Sequence, residues 1–267
     1  MPFFMMRFIN DIKKYGSYVN YSVRSELKAE VAGSFLSWLW WILDPLLYML
    51  VYSFLAVIIF SGNEPYFPVF VFIGLNSWQF FSKTVKASVR LVRGNKNIVT
   101  KVYVPKHMFI LEKMGVYGFK MLVSFLLTAV FMIFYQVPVH WYLMLIVPLF
   151  LFLFIITFCV SIIIMHFGVF IEDLLNIITV VLQLGFYVSG IFYSIENRLG
   201  SKYPFLADLL VNVNPIALVI SNLRSVMIGS GSLDLLPLAI WSVIGLTLSV
   251  VGIKVIYKFE NSYVKII

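Results

Sequence analysis

Of the 267 residues, 61% are hydrophobic and 12% charged, against about 25% charge in a soluble globular domain, which excludes that class. The formal charge of +8 does not indicate nucleic acid, because Lys and Arg cluster beside apolar runs, where they meet the phosphates of a membrane's inner leaflet. A single cysteine, Cys159, lies inside an apolar run, which excludes a disulfide framework and a cysteine metal centre.

In chain order, the opening MPFFMMRFINDIKKYG lacks the apolar core and small-residue cleavage site of a signal peptide. From Phe8 to Val31, apolar Val19, Val23, Leu27 and Val31 recur every four residues, with Arg24 and Lys28 on a basic face and Glu26 and Glu30 on an acidic one. The pattern predicts, over 1–33, an amphipathic interface helix in the plane of the membrane surface. A helix packed on a partner is the alternative. Residues 34–61 are uncharged apart from Asp44. Trp38, Trp40 and Trp41 form an interfacial belt, and Asp44 before Pro45 suits a helix start, so an elbow to Asp44 is expected, followed by the first span to Phe60. Read functionally, Asp44 is instead a proton or ion site, because acids within membranes often are.

After the turn SGNEP comes a second span over 65–82, and then the stretch that orients the rest. Between Lys83 and Lys120 lie nine of the twenty Lys and Arg against a single acid, Glu112. Translocating several cations is far costlier than retaining them, so 83–115 is predicted to be a cytoplasmic loop. The third span is expected over 116–135, the fourth over 141–166, the fifth over 174–193 and the sixth over 236–257, each near the ~20 residues that cross ~30 Å of hydrocarbon. The link HFGVFIEDLLN is acidic, but Asp and Glu count little in orientation, so it is kept inside. This assignment puts seventeen Lys and Arg inside and three outside, Arg198, Lys202 and Arg224. With both termini cytoplasmic, six spans fit. In 194–235, the apolar patches of FLADLLVNVNPIALVISNLRSVMIG are each too short to span and are broken at Asn214 and Pro215. They read as two re-entrant half-helices at the outer rim of a pathway, or else as a surface loop with one helix. The fold class expected is an all-α polytopic membrane protein in one transmembrane domain.

No GxxxxGK[ST], HExxH, nucleophile elbow or metal-spaced cluster is present. The histidines, His107, His140 and His166, fall in three separate predicted connections and read as interfacial. Asp44 and Lys120 are the few charges near spans, which does not make a proton relay, so energy for uphill movement must come from elsewhere. Aromatic residues make up 18% of the chain. Tyr and Trp stack on sugar faces, and a conduit lining is expected from Tyr48, Tyr52, Trp78, Phe186, Tyr187, Phe192 and Tyr193, against the alternative of lipid-facing packing.

Five segments, RSELKAEVAGSFLSWLWWILDPLLYMLVYSF, FIGLNSWQFFSKTV, NKNIVTKVYVPKHMF, FYVSGIFYS and NPIALVISNLRSVM, taken in order, resemble the membrane subunit of type-2 ABC exporters, in the branch that exports O-antigen, capsule and teichoic acid. The ordered set covers most of the chain. Two positions depart from the pattern: Glu172 stands where an arginine usually precedes Asp173, and Gly190 where proline is common. The resemblance implies two copies of this chain with two nucleotide-binding subunits, ATP and Mg on those partners and no cofactor here. It also implies a polyprenyl-diphosphate-linked polysaccharide substrate and a place in a bacterial cytoplasmic (inner) membrane, with no nucleic acid bound. It makes Asn97, Ile98, Val99, Thr100, Lys101, Val102 and Tyr103 a coupling helix seated in the ATPase, with the helix from Asn20 to Glu30 beside it. Arg24, Lys28, Arg90 and Arg93 would hold the lipid diphosphate, or else anchor to the inner leaflet. A type-2 permease for a drug or small lipid is the alternative function. A lipid-linked transferase would need a polar catalytic cluster that the sequence does not offer.

Overall fold

The structure is a computed structural model that describes residues 2–33, 36–60, 64–200, 203–229 and 231–266; the side chains of 2–5, 37, 52, 53 and 55–60 are not described. Lys202 lies outside the described residues, as does part of the SGNEP turn. Every regular element among the described residues is helical: α1 Pro2–Val31, α2 Trp40–Phe60, α3 Phe67–Ser88, α4 Leu91–Gly94, α5 Lys96–Val99, α6 His107–Phe134, α7 Ile146–Phe170, α8 Leu174–Val188, α9 Ile195–Leu199, α10 Pro204–Val213, α11 Pro215–Ile228 and α12 Leu235–Ile266. By length and composition, the segments His107–Phe134, Trp141–Phe170 and Leu235–Ile266 each suffice to cross a membrane. A fourth crossing exists if the α10–α11 pair, bent by 101° at Asn214, is one broken span.

α3 is the centre of the molecule. It packs against α2, α6, α7, α8 and α11, and Val69, Val71, Ile73, Ser77, Thr84 and Ser88 on it are fully buried. Its hydroxyls cost little in that setting, because Ser77, Thr84 and Ser88 each donate to the carbonyl four residues back. Asn76 donates across to Thr128 Oγ1 of α6 at 3.4 Å.

α12 lies along α7 through a stripe of small residues. A methyl built on Gly252 would stand 2.5 Å from Cγ2 of Ile162, one on Gly245 3.0 Å from Cδ1 of Ile156, and Ser249 between them is buried. Between apolar helices in lipid, such close backbone approach supplies the association that hydrophobic burial cannot. Gly252→Leu is therefore expected to destabilise the purified protein by about 2 kcal/mol, read as an earlier thermal unfolding midpoint in detergent. An unchanged midpoint would contradict this packing.

Several boundaries differ from the sequence expectation. α2 starts at Trp40, not after Asp44, because a 3-10 turn at Ser37–Leu39 leads into it. Trp41 then meets Phe119 of α6 edge-on at 5.3 Å, so Asp44 lies inside the helix and is not its cap. The cationic loop is shorter than expected, because α3 continues to Ser88 and α6 begins at His107. α8 ends at Val188, leaving 15 residues, about 22 Å of helix. The tail after Tyr257 continues as helix to Ile266. His107 and His166 are helical rather than in connections. His107 is fully buried between the rings of Phe8 and Tyr257, and His166 Nδ1 lies 2.6 Å from Tyr263 Oη. Arg224, counted among the exterior cations, is buried in α11.

Candidate functional site

The cationic residues gather at the end of the molecule where α3 finishes. Along α1, the apolar stripe faces α6: Leu27 is buried, and a methyl on Gly115 would meet Val23 Cγ2 at 2.7 Å. The acidic face is used in the same contact, with Glu26 paired to Lys113 and Glu30 to Lys120. Arg24 and Lys28, on the other side of the helix, are exposed.

The segment between α3 and α6 is clamped at its base and open at its tip. A methyl on Gly168 of α7 would stand 2.0 Å from the carbonyl oxygen of Val89, so bare backbone seats the start of the segment on α7. Arg93 donates to Val169 O at 2.8 Å and lies 3.8 Å from the exposed carboxylate of Glu172. The acid that stands in place of the usual arginine thus contacts a cation of the loop. Val99 and Val104 are buried, while Asn97, Ile98, Thr100, Lys101, Val102 and Tyr103 are exposed. Arg90 is exposed as well.

Tyr103 connects this tip to both ends of the chain. Its hydroxyl donates to Glu260 Oε2 at 2.9 Å and accepts from Arg7 Nη2 at 2.7 Å, and Arg7 reaches Glu260 Oε1 at 3.1 Å. Burial and the hydrogen bond to Glu260 push the Tyr103 phenol up to about 12, so it remains a donor at neutral pH. The Arg7 guanidinium also sits 4.0 Å over the ring of Tyr257. α1, the loop and α12 therefore meet in one polar knot. Sequence patterning did not single out Arg7 or Glu260; the one signal was a lone acid in the otherwise cationic tail KFENSYVKII.

The aromatic residues divide. Trp78 and Phe192 are buried, with Phe186 between them at centroid distances of 6.0 and 5.4 Å. Tyr187 is exposed at the edge of that group, and Tyr193 donates to its carbonyl at 2.9 Å. Tyr48 is an exposed residue of α2; the side chain of Tyr52 lies outside the described residues.

At the opposite end of α3, Arg224 organises the bent pair. Nε donates to Phe70 O at 3.1 Å, Nη1 to Gly190 O and Nη2 to Ile191 O, both at 2.7 Å. The guanidinium stacks 3.4 Å from the centre of the Phe70 ring. Gly190 has φ +65°, a conformation closed to proline, which accounts for glycine at this position. Asn214 makes the bend. Its Oδ1 caps α11 at Ile216 N and Ala217 N, and its Nδ2 donates to Ser189 Oγ. A cavity of about 230 Å³, with Arg224, Glu64, Glu196, Asn197 and Tyr193 in its wall, opens beside this clamp.

No family model matches the chain. It is 26% identical over 222 residues, 83% of its length, to the O-antigen export system permease protein RfbA of Myxococcus xanthus, covering 84% of that protein. To a protein of the same name from Klebsiella pneumoniae it is 26% identical over 243 residues, 91% of this chain and 92% of the other. A second Klebsiella pneumoniae protein of that name is 25% identical over the same extent. Over the described residues the fold is all-helical, and the chain is similar over most of its length to permease proteins of O-antigen export systems.

Proposed function

We propose that this chain is the permease subunit of an ATP-driven ABC transporter that exports a polyprenyl-diphosphate-linked polysaccharide, O-antigen-like or teichoic-acid-like, across a bacterial cytoplasmic membrane. The observation that carries the reading is the similarity over nine-tenths of the chain to permeases of O-antigen export. In this reading two copies pair with two nucleotide-binding subunits, which hold the ATP and Mg²⁺.

The topology that goes with it has six spans, formed by α2, α3, α6, α7, α8 and α12, with α1 at the cytoplasmic surface and α10–α11 re-entrant from outside. α2 has 21 residues, whereas α8, with 15 residues, falls short as a lone span, and α3 is too polar. Protein on their flanks compensates, since α3 and α8 pack on each other and α2 packs on both α3 and α6. Closure of the ATPase pushes on Asn97–Tyr103, and because the base of that segment is seated on α7 at Gly168, the push rotates the span bundle rather than bending a slack loop. Arg24, Lys28 and Arg90 are exposed at that end to receive a diphosphate, and Arg93 has part of its fork left beside Glu172. Of the aromatic residues expected to line the conduit, Tyr187 and Tyr48 are exposed and supply ring surface for a sliding glycan, whereas Trp78 and Phe192 are buried in the core and do not.

Co-expression with a cognate nucleotide-binding subunit should yield a complex that hydrolyses ATP and moves lipid-linked polymer into inverted vesicles. Failure to assemble with any nucleotide-binding subunit would sink the reading. Transport of small amphiphiles with intact surface glycan on deletion would favour the drug or small-lipid permease.

A further inference from the structure

The knot of Arg7, Tyr103 and Glu260 ties the coupling segment to a helix that overshoots the membrane. α12 has 32 residues, about 48 Å of helix against ~30 Å of hydrocarbon. Its apolar part ends near Tyr257, and the remaining turns, Lys258–Ile266, stand about 13 Å beyond it. They project past a lipid headgroup layer into the reach of a soluble partner. Those turns form one wall of a cleft of about 180 Å³ whose other wall is the coupling segment: Glu260, Asn261 and Val264 face Val99–Tyr103. Val264 and Val102 in this cleft are 41% and 59% exposed. Lys101 lies in the cleft, and Lys96, Lys258 and Lys265 are exposed nearby in sequence, whereas Glu260 is already matched by Arg7. The cleft thus mixes polar and apolar walls, with Val102 and Val264 as exposed apolar contacts and Lys101 as an exposed cation, a surface complementary to a protein face that carries an acid beside an apolar tip.

We propose that the C-terminal turns of α12 are a second docking wall for the ATP-hydrolysing subunit, and that Glu260 is a positioning residue that makes the coupling segment and α12 move as one block. This rests on the reading of the chain as an ABC permease. Glu260 accepts one hydrogen bond on each oxygen from two different elements, so it joins α12 directly to the coupling segment, and Arg7, bonded to both Glu260 and Tyr103, closes the triangle. A push on the coupling segment then reaches α12 directly, in addition to passing through α7.

The test uses full-length permease in detergent or nanodiscs with its purified ATP-hydrolysing subunit. Val264→Glu, at an exposed site, should bind that subunit at least tenfold more weakly than the parent while eluting and unfolding as the parent does. Glu260→Gln should keep binding within about threefold but export at least fivefold less polymer per ATP hydrolysed, with Glu260→Asp recovering part of the loss. Parent-like binding by the Val264 variant overturns the docking wall, and parent-like export per ATP by Glu260→Gln overturns the positioning role. Parent-like binding by Val264→Glu together with loss of co-purifying anionic phospholipid assigns the tail to lipid and also overturns the inference. A parent that binds no ATP-hydrolysing subunit overturns the permease reading itself, an outcome distinct from failure of the variants alone.

Discussion

Arg224→Met should lower the stability of the folded permease by about 3 kcal/mol or more, because three buried carbonyls lose a charged donor at once. The carbonyls belong to Phe70 on one stretch and to the adjacent Gly190 and Ile191 on another, so no local adjustment of one backbone can re-pair them all. Stacking on Phe70 at 3.4 Å is lost as well. Arg224→Lys should recover little, since an ammonium on a flexible stem cannot donate along three fixed directions in one plane. The measurement is the thermal unfolding midpoint in detergent, with protease access at the α10–α11 bend as the local readout. A midpoint equal to the parent's would show that Arg224 is not the clamp the geometry indicates.

The second large effect is expected at Gly168. Alanine there would place its methyl 2.0 Å from the Val89 carbonyl oxygen, far inside van der Waals contact, and the obstacle is backbone rather than a movable side chain. α7 must separate from the end of α3, which also strains the Arg93 bond to Val169 O. The expected cost exceeds about 3 kcal/mol. Any folded remainder should show cleavage within 90–101 by trypsin at rates well above the parent's. Gly16→Ala is the matched control, because nothing lies within 4 Å of the added methyl and the site is inside α1. It should be neutral or stabilising by up to about 1 kcal/mol. Equal behaviour of the two variants would refute the close seat at Val89.

What the sequence revealed was whatever repeats over short distances. The apolar runs, the dense cations between Lys83 and Lys120 and the Asn214–Pro215 break are all local patterns, and a helix boundary does stand at Asn214. Extensions were not legible. Lys83–Ser88 and Lys258–Ile266 carry enough polar residues to read as loop, yet both continue a helix already nucleated by the run before it. Nor was the burial of Arg224, because its partners lie more than thirty positions away in sequence. Of the aromatic group, the sequence named the residues, but only folding could decide that Trp78 and Phe192 face inward while Tyr187 faces out. Glycine at 190 looked like a mere departure from pattern until its positive φ gave the reason.

The wrapped position of α3 has a consequence for biogenesis. With Asn76, Gln79, Lys83 and Lys86 along it, this helix partitions poorly from a translocon into lipid by itself. Its shelter comes largely from α6, α7 and α11, all synthesised afterwards. A nascent chain stalled before α11 emerges would therefore hold its middle helix half-clad, and membrane quality-control proteases would meet every truncated product as unfinished.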